Sequence, residues 1–286
     1  GVIQINIMIG RIIASAQDGA ISLLNYADRI NQLPLGVIGI AIGVVLLPEL
    51  SRALKGERFD EADHLQNRSM EFALALTLPA AIAMLVVPVP IVNILYERGA
   101  FTSETTALTA SALAAFASGL PAYVLIKVFQ PAFFAREDMK TPLWFSMATV
   151  AVNVVLSFVL FGRYGHVAIA LATSLSAWVN ALLLCITLWS RRHYRPDAKN
   201  LRKTLMILVS AAAMGAFLYI AGGLLAAFLS SPSTLTRVVS TLGLLLGAFV
   251  LYMAVVITTG GLDWQELRGA FKRRRRDSNE APPSEI

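Results

Sequence analysis

Between Gly19 and Leu47 the chain is almost wholly apolar, yet its centre reads Asn25-Tyr26-Ala27-Asp28-Arg29-Ile30-Asn31-Gln32-Leu33-Pro34. An arginine or aspartate near the middle of a membrane helix costs roughly 2.5–3.5 kcal/mol on insertion scales. Such a cost persists where the charge meets a partner or a water-filled cavity. Asn25, Arg29 and Gln32 are spaced four and three apart and share one helix face, with Asp28 at its edge. A guanidinium offers five donors in a planar fork that matches phosphate oxygens. This face therefore suits an anionic substrate; packing of Asp28 and Arg29 against neighbouring helices is the other reading. Pro34 favours a kink, and Gly36, Gly39 and Gly43 permit close helix contact.

The surrounding chain explains why this stretch lies in a membrane. Of its 286 residues 56% are hydrophobic and only 15% charged, with mean hydropathy +0.65. Apolar runs separated by short charged connectors predict an all-α, polytopic membrane protein, because only helices pair every backbone group within one segment. Eight segments are predicted, at about residues 2–16, 20–47, 70–95, 105–129, 142–161, 166–189, 204–229 and 238–259. The net charge of +6 is not a nucleic-acid signature, since the basic residues cluster at segment ends. Four follow segment two (Arg52, Lys55, Arg58, Arg68) and two follow segment four (Arg136, Lys140). Six lie between Arg191 and Lys203, and six between Arg268 and Arg276. Only Arg11, Arg98, Arg163 and Arg237 fall on the opposite side. This asymmetry predicts that the long connectors and the C-terminus are cytoplasmic.

The connector 51–69 predicts a short surface helix with Phe59, Ala62 and Leu65 on one side. Asp263 and Glu266 form a helix-start pattern. Trp264, Leu267 and Phe271 then predict a helix on the membrane face, and 277–286 is expected to be disordered. The chain starts at Gly1 with a short apolar run lacking a basic flank, which reads as a chain cut near a helix rather than as a signal peptide.

Other polar residues lie inside apolar runs. Lys127, near the cytoplasmic end of segment four, suits either an anionic headgroup or snorkelling to the interface. Asn6, Asn153 and Thr173 suit either interhelical hydrogen bonds or, as oxygen donors from three helices, a sodium ion. The single Cys185 excludes an intramolecular disulfide. His64, His166 and His193 are far apart, and no metalloprotease, phosphate-loop or nucleophile-elbow motif occurs. The sequence is therefore not expected to encode an enzyme. A membrane scaffold and a membrane-embedded transferase are the rivals from other classes, the latter lacking clustered acidic residues or histidines at a membrane face.

Three stretches together resemble one family. They are Tyr26-Ala27-Asp28-Arg29 continuing through Leu33-Pro34-Leu35-Gly36 to Leu47-Pro48-Glu49-Leu50-Ser51-Arg52; Glu97-Arg98-Gly99-Ala100-Phe101-Thr102; and Lys127 to Pro142. In this order they resemble the MurJ/MviN lipid II flippases, of the multidrug/oligosaccharidyl-lipid/polysaccharide exporter superfamily. The resemblance implies a fourteen-helix, two-lobe fold of which this chain holds helices seven to fourteen. Residues 1–200 would be the second six-helix lobe, 201–262 two extra membrane helices, and 263–286 a cytoplasmic tail. It further implies that Arg29 belongs to the cavity that binds the lipid-linked diphosphate, with Asp28 its acidic neighbour. Gln32 stands where the family often has glutamate. The resemblance implies lipid II and membrane lipid as partners, cell-wall synthesis proteins besides, and a bacterial cytoplasmic (inner) membrane location. Coupling would come from sodium or membrane potential, and the last two helices would line a groove for the polyprenyl tail. A flippase for another polyprenyl-linked glycan and a drug antiporter are its near rivals; the antiporter should favour an acidic cavity, against Arg29.

Overall fold

The computed structural model describes residues 10, 12–15, 17, 19–194 and 197–261. Asn6 and the helix predicted from Asp263 lie outside the described residues. All regular structure among the described residues is helical. The long elements are α1 (Ala20–Lys55), α2 (Phe59–Val86), α6 (Lys140–Tyr164), α7 (His166–Ser190), α8 (Ala198–Leu224) and α10 (Thr234–Thr258). Shorter ones are α3 (Pro88–Tyr96), α4 (Ser103–Ala117), α5 (Leu120–Phe134) and α9 (Ala226–Leu229). Six helical stretches are long and apolar enough to cross a membrane: 59–86, 103–134, 140–164, 166–190, 200–224 and 234–258. α1 adds 36 residues, about 54 Å at 1.5 Å per residue.

Two predicted boundaries are corrected. The span predicted over 70–95 is two helices, because Val87 leaves the helical region (φ −126°, ψ 50°). The ring of Pro88 disfavours a helical Val87 and then suits the first turn of α3. The span predicted over 105–129 stands as one apolar stretch, 103–134, with a turn at Ser118-Gly119 and Pro121 in the first turn of α5. The surface helix predicted within 51–69 is the start of α2: the chain reverses over Gly56-Glu57-Arg58, and from Phe59 it runs unbroken to Val86. Ala62 is buried there rather than lying on a surface.

α1 runs through the middle of the molecule. Ala27 and Ile30 join a core with α2, α3, α4, α8 and α10, while Ile38, Ile42, Leu46 and Leu50 join a second core with α5 and the end of α7. Alanine dominates the closest contacts; Ala27, Ala53, Ala73, Ala110 and Ala117 are fully buried. Lipid gives no hydrophobic drive between helices, so small residues that let backbones approach supply the packing.

Polar links join the predicted connectors by side. At one end, the Glu71 carboxylate accepts from Asn200 (2.9 Å) and pairs with Lys203 (3.3 Å). The Tyr194 hydroxyl donates to Asn67 (2.7 Å). Nearby, Asp138 accepts from the Thr141 N–H and hydroxyl (3.0 and 2.7 Å) and from Arg191 (2.7 Å). Those donors, the Thr141 N–H foremost, hold the Asp138 carboxyl down at about 2. At the opposite end, Gln17 accepts from the His166 N–H (2.9 Å). Gly165 just before it has φ 53°, which favours glycine. The grouping matches the alternation of predicted sides.

Glu97 is the hub of that second end. Its carboxylate accepts from Asn93 (2.7 Å), from the Thr106 hydroxyl (2.7 Å) and from Arg237 (3.1 Å), tying α3, α4 and α10 together. The Glu97 and Arg237 side chains are only 20% and 17% exposed. Glu97→Ala strands a largely buried guanidinium, at a cost of about 1–3 kcal/mol. Thermal unfolding of the full-length protein in detergent is expected to fall by several degrees, and Glu97→Gln by less. Equal melting of wild type and Glu97→Ala would count against the hub.

Candidate functional site: the polar face of α1

The residues predicted to share a face do so, and that face is open. Asn25, Arg29, Gln32 and Gly36 are all exposed. A Cβ added at Gly36 would meet nothing within 4 Å. The opposite side of α1 is buried in the two cores. Arg29 makes neither a hydrogen bond nor an ion pair among the described residues. Asp28, its neighbour, does not neutralise it; successive residues point about 100° apart on a helix. Asp28 is half-buried and accepts a hydrogen bond from the Gln32 amide one turn on. Among the described residues no neighbouring helix supplies Arg29 with a polar partner.

The contrast with α6 shows what an oily environment selects. Its exposed side chains include Leu143, Trp144, Met147, Val155, Phe158 and Val159, which suits hydrocarbon. Exposed Asn25, Arg29 and Gln32 do not, since unpaired donors and a guanidinium are costly there. Together with exposed Leu33 and Val37 they form the open side of α1, a wall of mixed character.

Lys127 joins this wall from α5. Its stem lies across α1 at Gly39, where a Cβ would stand 2.7 Å from Lys127 Cδ and 2.9 Å from Nζ. It is exposed. Gly39 continues the series Asn25, Arg29, Gln32, Gly36 at alternating steps of four and three, so Lys127 lies on the stripe that carries Arg29.

Asn153 and Thr173 also come together, but elsewhere. The Asn153 amide donates to the hydroxyls of Thr173 (3.1 Å) and Ser176 (3.3 Å), and Thr173 donates to Ile169 O (2.7 Å). This joins α6 to α7. Asn153 and Thr173 thus form an interhelical link, while Asn6, the third residue of the set, lies outside the described residues.

Two features lie beside the site. Tyr26 stacks near Tyr96 (4.9 Å) and Phe101 (5.3 Å), fixing the start of α1 against the Glu97 hub. A groove of about 900 Å³ runs between α3 and the α8–α10 unit, with Val87, Val89, Leu218 and Leu224 along it and Glu97 and Arg237 among its polar lining.

Comparison with known proteins places this geometry. A family model described as lipid II flippase MurJ matches residues 1–255. Probable lipid II flippases MurJ from Rhizobium meliloti (strain 1021) and Rhizobium tropici are 50% identical over 274 residues and 48% identical over 276. Each alignment covers 96% of this chain, and 51% and 52% of the respective relative. A solved structure titled as lipid II flippase MurJ in an inward closed conformation superposes with TM-score 0.73 at 25% identity, over 93% of this chain and 52% of the other. The chain thus spans about half the length of the curated relatives it matches.

Proposed function

Because this chain belongs to the lipid II flippase MurJ family, a family of multi-pass membrane proteins, we propose that it forms one half of a transport pathway for lipid II. The complete protein would move this polyprenyl-diphosphate-linked precursor from the cytoplasmic to the outer face of a bacterial cytoplasmic membrane, with the C-terminus cytoplasmic. The observation that carries this reading is Arg29 on the polar face of α1, exposed and without a polar partner among the described residues.

The mechanism follows from charge and solvent. Arg29 receives phosphate oxygens through its fork of donors, while Asn25 and Gln32 hydrogen-bond the surrounding polar headgroup. Lys127 supplies a second positive charge on the same stripe. The polyprenyl chain stays in an apolar setting, for which the groove beside α8 and α10 is the candidate. Rocking of one lobe against the other then exposes the headgroup to the opposite side. Membrane potential could drive the reset, since one charge crossing 100 mV is worth about 2.3 kcal/mol. No covalent bond changes, so the role is transport rather than catalysis. Contacts with cell-wall synthesis proteins belong to the same proposal.

Depletion of the full-length protein in growing cells tests the reading. Lipid II is expected to accumulate out of reach of a reagent confined to the outer face. Accumulation with normal outer-face access would instead indicate a scaffold of cell-wall assembly.

A further inference from the structure

The contact between Lys127 and Gly39 points to a second recognition element. Lys127 enters the membrane region seven residues before the end of α5 at Phe134, about 10 Å by helical rise. It does not extend free toward that end, because its Cδ, Cε and Nζ all lie against Gly39. Gly39 is ten residues from Arg29 on one face of α1, about 15 Å along the axis. That spacing is between backbones; with its side chain turned away from Gly39, Arg29 holds a diphosphate clear of the Lys127 ammonium. The two cations suit two anions of one elongated headgroup. Lysine, a compact point charge, meets a carboxylate without the planar match that arginine gives to phosphate.

Resting on the flippase reading above, we infer that Lys127, seated in the notch left by Gly39, recognises a carboxylate on the peptide of the lipid-linked headgroup while Arg29 holds its diphosphate. Lys127 is then a specificity residue and Gly39 a positioning residue. Alanine at position 39 would put a methyl group where the lysine stem lies, yet alanine favours a helix over glycine. Gly39→Ala therefore displaces Lys127 without weakening α1.

The test is equilibrium binding to purified full-length protein in nanodiscs, with two lipids: lipid II, and the same polyprenyl-diphosphate disaccharide without its peptide. Wild type is expected to bind lipid II roughly tenfold more tightly than the peptide-free lipid, the scale of one charge-assisted hydrogen bond. Lys127→Met and Gly39→Ala should each erase that preference, weakening lipid II more than the peptide-free lipid. The double variant should be no worse than either single one, and Lys127→Arg should keep most of the preference. The inference is overturned if wild type binds both lipids equally, if Lys127→Met weakens both alike, or if the two substitutions act additively. A wild-type protein that binds neither lipid overturns the flippase reading itself.

Discussion

Arg29→Ala in the full-length protein is expected to abolish support of growth while leaving the amount of folded protein unchanged. The side chain is exposed and makes no hydrogen bond or ion pair among the described residues. Its removal should change stability by no more than about 0.5 kcal/mol, as at other exposed positions. What is lost is recognition of an anion. Hydrogen bonds to charged groups contribute about 1.5–3 kcal/mol, which corresponds to roughly 10- to 150-fold in binding. Arg29→Lys keeps the charge but not the planar fork, so it should recover only part of the activity. Complementation scored beside the protein level separates the outcomes. Normal growth with Arg29→Ala would remove this residue from the site.

Gly119→Val is expected to fail at folding instead. Gly119 forms the elbow between α4 and α5, pressed directly on α7. A Cβ there would lie 2.7 Å from Ser174 Cα and 2.6 Å from its Oγ. The backbone of α7 cannot rotate away as the end of a side chain can. Ser174 also donates a hydrogen bond to Ala115 O (2.7 Å), so displacement strands its buried hydroxyl. Overpacking alone costs about 1–3 kcal/mol or more, and the broken hydrogen bond adds about 1–3 kcal/mol. Gly36→Ala is the matched control: its added methyl group meets open space and removes a glycine penalty of about 1 kcal/mol. Size-exclusion profiles of the full-length variants should show Gly119→Val lost and Gly36→Ala intact. A normal profile for Gly119→Val would contradict the packing described for the elbow.

Hydropathy and the placement of lysine and arginine were enough to read the class of fold, because lipid imposes helices and charge imposes sides. The internal break was less visible. A broken helix stays equally apolar across the break, so 70–95 reads as one span. Pro88 was the available signal, just inside the helix that follows. The start of α2 was misplaced for the reverse reason: polar residues from Asp60 to Arg68 read as a connector, although no proline or glycine interrupts them. At the site, Asn25, Arg29 and Gln32 were legible because helical spacing alone puts them on one face. The seat of Lys127 on Gly39 was not, since it joins residues 88 positions apart across two helices. The Glu97 hub escaped for the same reason, with Arg237 reaching it from α10.

The claim on which the account rests is that the polar face of α1 meets water and substrate rather than lipid. Labelling with a charged, water-soluble thiol reagent tests this most directly, using single-cysteine variants of the full-length protein in which Cys185 and every other native cysteine are replaced. Asn25→Cys and Gln32→Cys are expected to react readily and to be protected by added lipid II, while Val155→Cys and Phe158→Cys on α6 remain unreactive. If Gln32→Cys is as inert as Val155→Cys, α1 faces oil and the role assigned to Arg29 is contradicted.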